Sequence, residues 1–320
     1  MSIMRSIALC IAALVTLPAA AADYPTRPIT MVVPFPPGAS TDFVARVLND
    51  PMAQILGQPI IVENRPGAAG TTGTYAVATA PPDGYTILLT VNAPVTMNKY
   101  LQKNFPFDPR TALAPVTNAA KTSLFLAVNK ALPVKTVSDL VDYTRKNPGK
   151  VSFGSAGIGS AHQIAGELLN QKTGIHMEHI PYRGGGPAIQ DLVAGQIPVS
   201  FGTGPAVISQ AEAGTIRIIA AAEAERDPLL PDVPTIDETV PGIVTWNWIG
   251  IFAPAGTPRP IIDKLNKAAV AVLKRPEIVE KLALQDARPI ASTPDELSQV
   301  VTTESDRWGT IIPSLGIQPQ

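Results

Sequence analysis

Residues 29–48 read ITMVVPFPPGASTDFVARVL, and the order of elements in this stretch decides the fold. Ile29–Val33 is a short apolar run between two prolines, which is typical of a buried strand. A turn of small residues follows, and the pattern predicts a helix from Ser40 or Thr41 with a hydroxyl cap and Asp42 in its first turn. A strand that feeds a helix in this way directs free backbone N–H groups and the positive end of the helix dipole at one point. That point suits an anion.

The same arrangement occurs again at residues 151–169, VSFGSAGIGSAHQIAGELL. A short strand leads through a loop of glycine and serine into an amphipathic helix. Two anion-receiving loops in distant parts of the chain indicate two lobes, each offering one side of a site for a small acid.

Length and composition are consistent with this interpretation. The chain has 320 residues, which is enough for two domains, and with 45% hydrophobic and 16% charged residues it is globular. A formal net charge of −1 and the lack of a basic run argue against a nucleic-acid partner. The sequence lacks both the dinucleotide and the P-loop motif, so no cofactor is expected.

The first 22 residues predict a cleavable signal peptide. Arg5 supplies the positive charge, Ile7–Leu17 the apolar core and Ala20–Ala22 the cleavage site. Cys10 is the one cysteine and would leave with this peptide. The mature protein is therefore expected in the periplasm, folded without disulfides.

The rest of the chain alternates short apolar strands with amphipathic helices, which predicts an α/β fold with largely parallel sheets. Polar or proline-rich segments at 117–123 and 223–242 are interpreted as passages between the lobes. Residues 23–120 with 243–320 would then form the first lobe, and residues 121–242 the second.

The residues that could do chemistry leave alternatives open. His176 and His179 lie three apart in a predicted strand, so they face opposite sides and no metal site is expected. An exported hydrolase could use Ser155 or Ser160 with His162, although no G-x-S-x-G motif is present. His162 itself either contacts a ligand or bonds locally.

Other candidates have a structural alternative as well. Asp42 can serve its own helix with Arg46 four residues on. Phe35 either lines the site or is buried, and Arg183 either meets a second carboxylate or is solvated. The loop 184–187, GGGP, is as compatible with a tight turn as with a ligand contact.

At this point the motifs resemble a known family, the Bug receptors, which are the solute-binding proteins of tripartite tricarboxylate transporters. The resemblance covers essentially the whole mature chain, in order. It rests on YPTRPI (24–29), VPFPPGASTDFVAR (33–46), RPGAAGTTG (65–73), FGSAGIGSAHQIAGE (153–167), PYRGGGPAIQDLVAGQ (181–196), LLPDVPTIDE (229–238) and APAGTPRPIIDKLN (253–266).

The resemblance implies a two-lobed periplasmic binding protein of type II, a Venus flytrap whose lobes are each a mainly parallel sheet flanked by helices. In that family, loops of both lobes hold carboxylate oxygens with backbone N–H groups, hydroxyls and waters. Carried over, the ligand-binding residues would be Phe35, Gly38, Ala39, Ser40, Thr41, Asp42, Asn92, Ser155, Ala156, Gly157, Ser160, His162, Arg183 and Thr203.

Two positions depart from the family pattern. Ala39 stands where a second glycine is usual. Gly202 stands in Phe201-Gly202-Thr203 where Phe-Asp-Asn is frequent, and an aspartate there could receive a ligand ammonium. This departure favours a mono- or dicarboxylic acid without an amino group.

The resulting hypothesis is a monomeric, non-enzymatic receptor that delivers an organic acid to the membrane subunits of a tripartite tricarboxylate-type transporter. Two alternatives stay open: the exported serine hydrolase, and a receptor that docks on the ectodomain of a sensor histidine kinase.

Overall fold

The computed structural model describes residues 24–284, 286–317 and 319, so the predicted signal peptide lies outside the described residues. The strands are β1 (Ile29–Val33), β2 (Ile60–Asn64), β3 (Thr86–Val91), β4 (Leu113–Thr122), β5 (Leu124–Asn129), β6 (Ser152–Ser155), β7 (Glu178–Pro181), β8 (Val199–Thr203), β9 (Ile216–Ala221), β10 (Asn247–Pro254) and β11 (Ala287–Pro289).

Helices separate most of these strands. They are α1 (Ser40–Leu56), α2 (Thr71–Ala78), α3 (Ala93–Thr96), α4 (Pro109–Ala112), α5 (Val137–Lys146), α6 (Ala161–Thr173), α7 (Gly185–Val193), α8 (Pro205–Glu212), α9 (Arg259–Leu273), α10 (Pro276–Ala283) and α11 (Pro294–Ser314), with 3₁₀ turns at Ala68–Gly70 and Asn98–Tyr100. Among the described residues, no helix combines the length and the apolar character that a membrane crossing needs.

The strands form two sheets, which confirms the predicted two-lobed α/β architecture. The first lobe holds a six-stranded sheet of order β11-β4-β10-β3-β1-β2, and the second a five-stranded sheet of order β7-β6-β8-β5-β9. In the first lobe, β1 pairs in parallel with both β2 and β3, as strand–helix–strand units require.

The prediction of mainly parallel sheets is wrong, because both sheets are mixed. In the first lobe β10 is antiparallel to β3 and β4, and in the second β5 is antiparallel to β8 and β9. Strands β5 and β10 are the ones that receive the chain from the other lobe. A chain that arrives from the space between the lobes enters its sheet at the end where the other strands finish, so its strand runs the opposite way.

The first passage between the lobes is much shorter than the predicted segment 117–123. Strand β4 continues in the first sheet to Thr122, which pairs with Asn247, and β5 begins in the second sheet at Leu124. Only the buried Ser123 separates them. Polar residues on β4 had suggested a loop, whereas Thr117, Asn118 and Thr122 are buried between sheet and helix and mostly hydrogen-bonded there.

The return connection stays with the second lobe for most of its length. Ala221 and Pro234 are joined by a backbone hydrogen bond, Ile236 lies in the second core, and the N–H of Thr245 still bonds to the carbonyl of Ala222. The crossing itself is at Trp246, just before β10. The exact division of the chain between the lobes stays a prediction.

Helix α11 is a third link between the lobes. Its N-terminal half buries Leu297 and Val301 against Val32 and Leu88 of the first sheet. Its C-terminal half buries Trp308 and Ile312 in the core of the second lobe. One rigid helix therefore packs on both sheets, next to the two chain crossings.

Close packing of α6 on β6 depends on a glycine. A Cβ on Gly166 would lie 2.3 Å from Cε2 of Phe153, a fully buried ring at the centre of the second lobe. We expect Gly166→Ala to lower the free energy of unfolding by about 1–3 kcal/mol, because the ring must leave its packed position.

The matched control is Gly186→Ala, also in a helix, where a Cβ meets nothing within 4 Å. Denaturant unfolding of both variants tests the packing, and equal stability of the two would contradict it.

Candidate binding site

Several helices of both lobes begin at the face between the lobes. β1 leads into α1, β6 into α6 and β7 into α7, through what we call the first loop (residues 34–39), the second loop (156–160) and the third loop (182–184). β8 ends beside this face as well, because Thr203 pairs with Leu124 at the crossing. A Cβ on Gly159 of the second loop would lie 2.9 Å from Asn98 of the first lobe, so this loop lies against the first lobe. That the three loops form one binding site stays a prediction.

The start of α1 carries free donors. Ala39 is the N-cap, no side chain caps the helix, and the predicted hydroxyl cap is therefore wrong. The backbone N–H groups of Ser40, Thr41 and Asp42 have no partner among the described residues. The Oγ1 of Thr41 is also buried without a partner. An anion at this helix start would satisfy all of these donors.

Asp42 shapes the first loop. Its carboxylate accepts hydrogen bonds from the Gly38 N–H (2.9 Å), Nε of Arg46 (3.0 Å) and Nδ2 of Asn64 (2.9 Å). Asn64 also donates to the carbonyl of Phe35 at 3.0 Å, so β2 and α1 hold the loop from two sides. Burial alone would raise the pKa of Asp42, but these three hydrogen bonds hold the pKa below its usual range. These contacts support the structural role of Asp42, in which its carboxylate serves its own helix.

The second loop uses its own hydroxyls. Oγ of Ser155 lies 2.6 Å from Nε2 of His179 and accepts the Gly157 N–H at 3.1 Å. Oγ of Ser160 donates to the Gly157 carbonyl at 2.6 Å and caps α6 at Gln163. These hydroxyls therefore hold the loop in shape. Their contact with a ligand stays a prediction.

The donors left free in this loop belong to the backbone. The N–H groups of Ala156, Ile158, Ala161 and His162 have no partner among the described residues. Gly157 is fixed at φ +120°, and a Cβ there would lie 3.0 Å from the carbonyl of Tyr182. The second loop is thus a row of unpaired N–H groups at the positive end of α6.

His162 is the least satisfied polar side chain of the site. It is 8% exposed, and both ring nitrogens are buried without a partner. Burial lowers the pKa of His162 to about 4, so the ring is neutral at pH 7. Its Nε2 lies 3.9 Å from where a Cβ on Gly185 would stand, which places the ring beside the start of α7.

The start of α7 is open and uncapped. Gly184 makes no capping hydrogen bond, and the N–H groups of Gly185 and Gly186 have no partner among the described residues. A Cβ on Gly184 or Gly186 would meet nothing within 4 Å. Arg183 is exposed there and forms no ion pair with any described residue. Of the two readings left open for the loop 184–187, these contacts favour the ligand contact.

Two asparagines of the first lobe, Asn92 and Asn98, each keep an unpaired side-chain oxygen among the described residues. Asn92 is the N-cap of α3, donates to the carbonyl of Trp246 at 3.0 Å and leaves its Oδ1 unpaired. Asn92 thus stands immediately before a short helix that begins at Ala93. Sequence reasoning missed Asn98, whose amide donates to Ala69 (3.1 Å) and whose unpaired Oδ1 lies 2.9 Å from a Cβ placed on Gly159. No motif marks Asn98, because its position depends on contact across the cleft.

The argument from Gly202 does not hold in this structure. A Cβ on Gly202 would lie 2.6 Å from Val207 and 2.7 Å from Ile189, in the apolar layer under α7 and α8. A side chain at 202 would therefore enter this apolar layer, because side chains alternate along β8. Thr203, half-buried at the end of that strand, is on the other face.

The nucleophile and base proposed for a hydrolase are not brought together. Ser155 bonds to His179 rather than to His162, and it is fully buried. No described carboxylate bonds to His179, whose ring packs 5.1 Å from that of Phe153. Across the described residues, no group of three His, Cys, Asp or Glu side chains could hold a metal ion.

Comparisons with known proteins find a matching family and related structures. Residues 44–317 match the family described as "TctC: Tripartite tricarboxylate transporter family receptor". Protein BugT of Bordetella pertussis is 36% identical over 304 residues, which cover 94% of this chain and 93% of BugT.

Two solved structures share the fold. A structure of an R. palustris protein with adipate has a TM-score of 0.87 at 34% identity and covers 93% of this chain and 100% of that chain. MatC from Rhodopseudomonas palustris with bound malate has a TM-score of 0.83 at 34% identity, covering 90% and 100%.

The role of Asp42 is open to a direct test. We expect Asp42→Asn to lower the free energy of unfolding by about 1–3 kcal/mol at pH 7, because the loop loses charge-assisted hydrogen bonds. The folded-state pKa is lowered, so this stability is present above the ordinary pKa of 3.8 and is lost as the pH falls through the folded value.

Denaturant unfolding at pH 7 and at pH 3 measures this difference. Asp50→Asn, an exposed residue of the same helix, is the control. A loss for Asp42→Asn no larger than that of the control would contradict the assignment.

Proposed function

Because this chain belongs to the tripartite tricarboxylate transporter family of receptors, we propose that it captures a small organic acid between its lobes and delivers it to the membrane subunits of such a transporter. Family membership supports a periplasmic location and a binding rather than a catalytic role. The predicted signal peptide is part of this proposal, as is a monomeric state.

One observation carries the proposal. Three helix starts at one cleft have unpaired N–H groups, on α1, α6 and α7. The first N–H groups of a helix have no partner within the helix, and a ligand that brings its own acceptors would pair those of all three helices. A carboxylate does this, and it is also stabilised by the positive ends of the helix dipoles.

The start of α7 suits a second carboxylate. It combines the free N–H groups of Gly185 and Gly186 with the unpaired ring of His162 and the exposed cation of Arg183. A neutral imidazole donates from one nitrogen, so it can bind a carboxylate oxygen without a charge of its own. The adipate and malate in the two related structures are both dicarboxylates. We therefore favour a dicarboxylic acid that spans the cleft from α1 and α6 to α7.

An acid without an amino group remains favoured, on a different argument from Gly202. An ammonium in the cleft would need a carboxylate or several carbonyl groups. Asp42, the acidic residue in the first turn of α1, already accepts hydrogen bonds from three donors. The second and third loops contain no acidic residue.

The other two functions receive less support. The Ser155–His179 contact resembles a nucleophile with its base, but the serine is fully buried and the histidine pKa is lowered by burial to about 4. Such a ring is a weak base at neutral pH. Docking on a sensor kinase would use the same ligand site, and no described contact favours it.

We expect His162→Leu to weaken binding of succinate, malate or adipate by roughly 1–3 kcal/mol, since a buried carboxylate oxygen loses its hydrogen bond. Binding of acetate or benzoate should change little, because these acids have one carboxylate. Isothermal titration of each acid measures the effect, with His176→Leu, an exposed histidine of the same lobe, as control. Equal losses for mono- and dicarboxylates would place His162 outside the second carboxylate site.

Matched pairs test the preference against an amino group. Succinate should bind at least tenfold more tightly than aspartate, and adipate more tightly than 2-aminoadipate, because the cleft offers an ammonium no free carboxylate. The same calorimetry decides this, after a thermal-shift screen has found which chain length binds. Tighter binding of either amino acid would refute the preference.

A further inference from the structure

The residue at the first crossing lies at the centre of a group of charged side chains. Ser123 donates its N–H to Oδ2 of Asp286 at 2.9 Å, its hydroxyl bonds to Asp227, and it accepts a hydrogen bond from Arg288. Ser123 is fully buried and is the one residue between β4 and β5. Any rotation of one lobe relative to the other must therefore involve Ser123.

The charged groups come from both lobes, and we call them the hinge cluster: Lys121, Glu223, Asp227, Asp286 and Arg288. Glu223 and Asp227 lie on the connection that follows β9 of the second lobe, and the other three lie on or beside β4 and β11 of the first. Nη2 of Arg288 lies 3.2 Å from Oε1 of Glu223 and 3.2 Å from Oδ2 of Asp227. Nζ of Lys121 lies 3.6 Å from Oε2 of Glu223.

The cluster has more acids than bases. Three carboxylates face two cations, and Glu223, Asp227 and Asp286 are all buried. Glu225 and Arg307 line a surface groove together with Lys121 and Glu223. Nη1 of Arg307 lies 3.6 Å from Oε1 of Glu304. The charges of the hinge cluster therefore balance when one carboxyl group carries a proton.

Asp286 is the group that fits the proton. Its Oδ1 has no hydrogen-bond partner among the described residues and lies 4.0 Å from Nε of Arg288, whereas Nη2 of Arg288 lies 3.2 Å from both Asp227 and Glu223. Burial, then the charges of Asp227 and Glu223, raise the pKa of Asp286 to about 7, against the opposing effects of the Ser123 N–H and Arg288. Asp286 of the first lobe thus lies near two carboxylates of the second lobe, Asp227 and Glu223.

The lobes are in contact in this arrangement. Asn98 of the first lobe lies against Gly159 of the second across the cleft, and Met97 and Leu101 are buried with Ile164 in one core. We propose that Asp286 is a proton-controlled switch of the hinge, which favours the closed arrangement while protonated and favours separation of the lobes once ionised. This inference rests on the proposed function only for its consequence, namely that affinity for the captured acid would follow the pH.

The direction follows from linkage. When the lobes separate, Asp286 moves away from Asp227 and Glu223 and its pKa returns toward the ordinary 3.8, while in the closed arrangement it is about 7. Between these values the closed form holds the proton and the open form does not. The ratio of closed to open molecules should therefore fall by up to tenfold for each pH unit as the pH rises toward about 7, and then level off.

Small-angle X-ray scattering of the purified protein without any added carboxylate tests the switch from pH 5 to pH 8.5, in buffers free of carboxylic acids. We expect the radius of gyration to rise with pH in the parent protein. Asp286→Asn keeps a neutral group, so its radius should stay at the low-pH value throughout. Asp83→Asn, at a half-buried acid that pairs with Arg27 outside the cluster, should behave as the parent does.

Glu223→Gln provides a second and independent variant. Removal of one facing charge should move the midpoint of the transition to lower pH, an effect that a merely structural role would not produce. Circular dichroism confirms that each variant is folded. A constant radius in the parent, a parent-like rise in Asp286→Asn or an unchanged midpoint in Glu223→Gln would each overturn the proposal. Because no ligand is used, these outcomes are independent of whether the protein binds a carboxylate.

Discussion

The candidate binding site depends on backbone N–H groups that the fold leaves unpaired at the starts of helices. Every strand–helix unit has such groups, and in most proteins a side chain or water binds them. Here the starts of α1 and α7 have no side-chain cap, and both lie at the cleft. Under the proposed function, the captured acid would pair these donors together with those of α6.

The polar side chains of the loops serve to hold these donors in place. Asp42 ties the first loop to α1 and β2, and Ser155 and Ser160 bond within the second loop. A binding surface made of backbone groups cannot change its chemistry by substitution of one side chain. Under the proposed function, selection among acids would rest on the few described side chains with unpaired atoms, such as His162 and Asn98.

The same topology that creates the cleft also creates the hinge. Because the chain crosses between sheets at Ser123 and at Trp246, the two acids that follow β9 come to lie beside Asp286, which precedes β11. A cluster of charges from two lobes would be costly to bury in a rigid core, where the carboxylates repel one another. At a hinge the same repulsion can act on the angle between the lobes.

By itself, the sequence determined the elements and their order. Short apolar runs, helix starts and small-residue turns are local signals, and they predicted β1, α1, β6 and α6 as well as two lobes and the anion-directed loops. Local signals could not show strand direction, the use of a hydroxyl or the side on which a glycine faces. Those depend on which segments meet in space. Tertiary structure alone decided that the sheets are mixed, that Ser155 pairs with His179 and that Gly202 faces the core. It also decided that Asn98, His162 and Asp286 are buried beside residues far away in the chain.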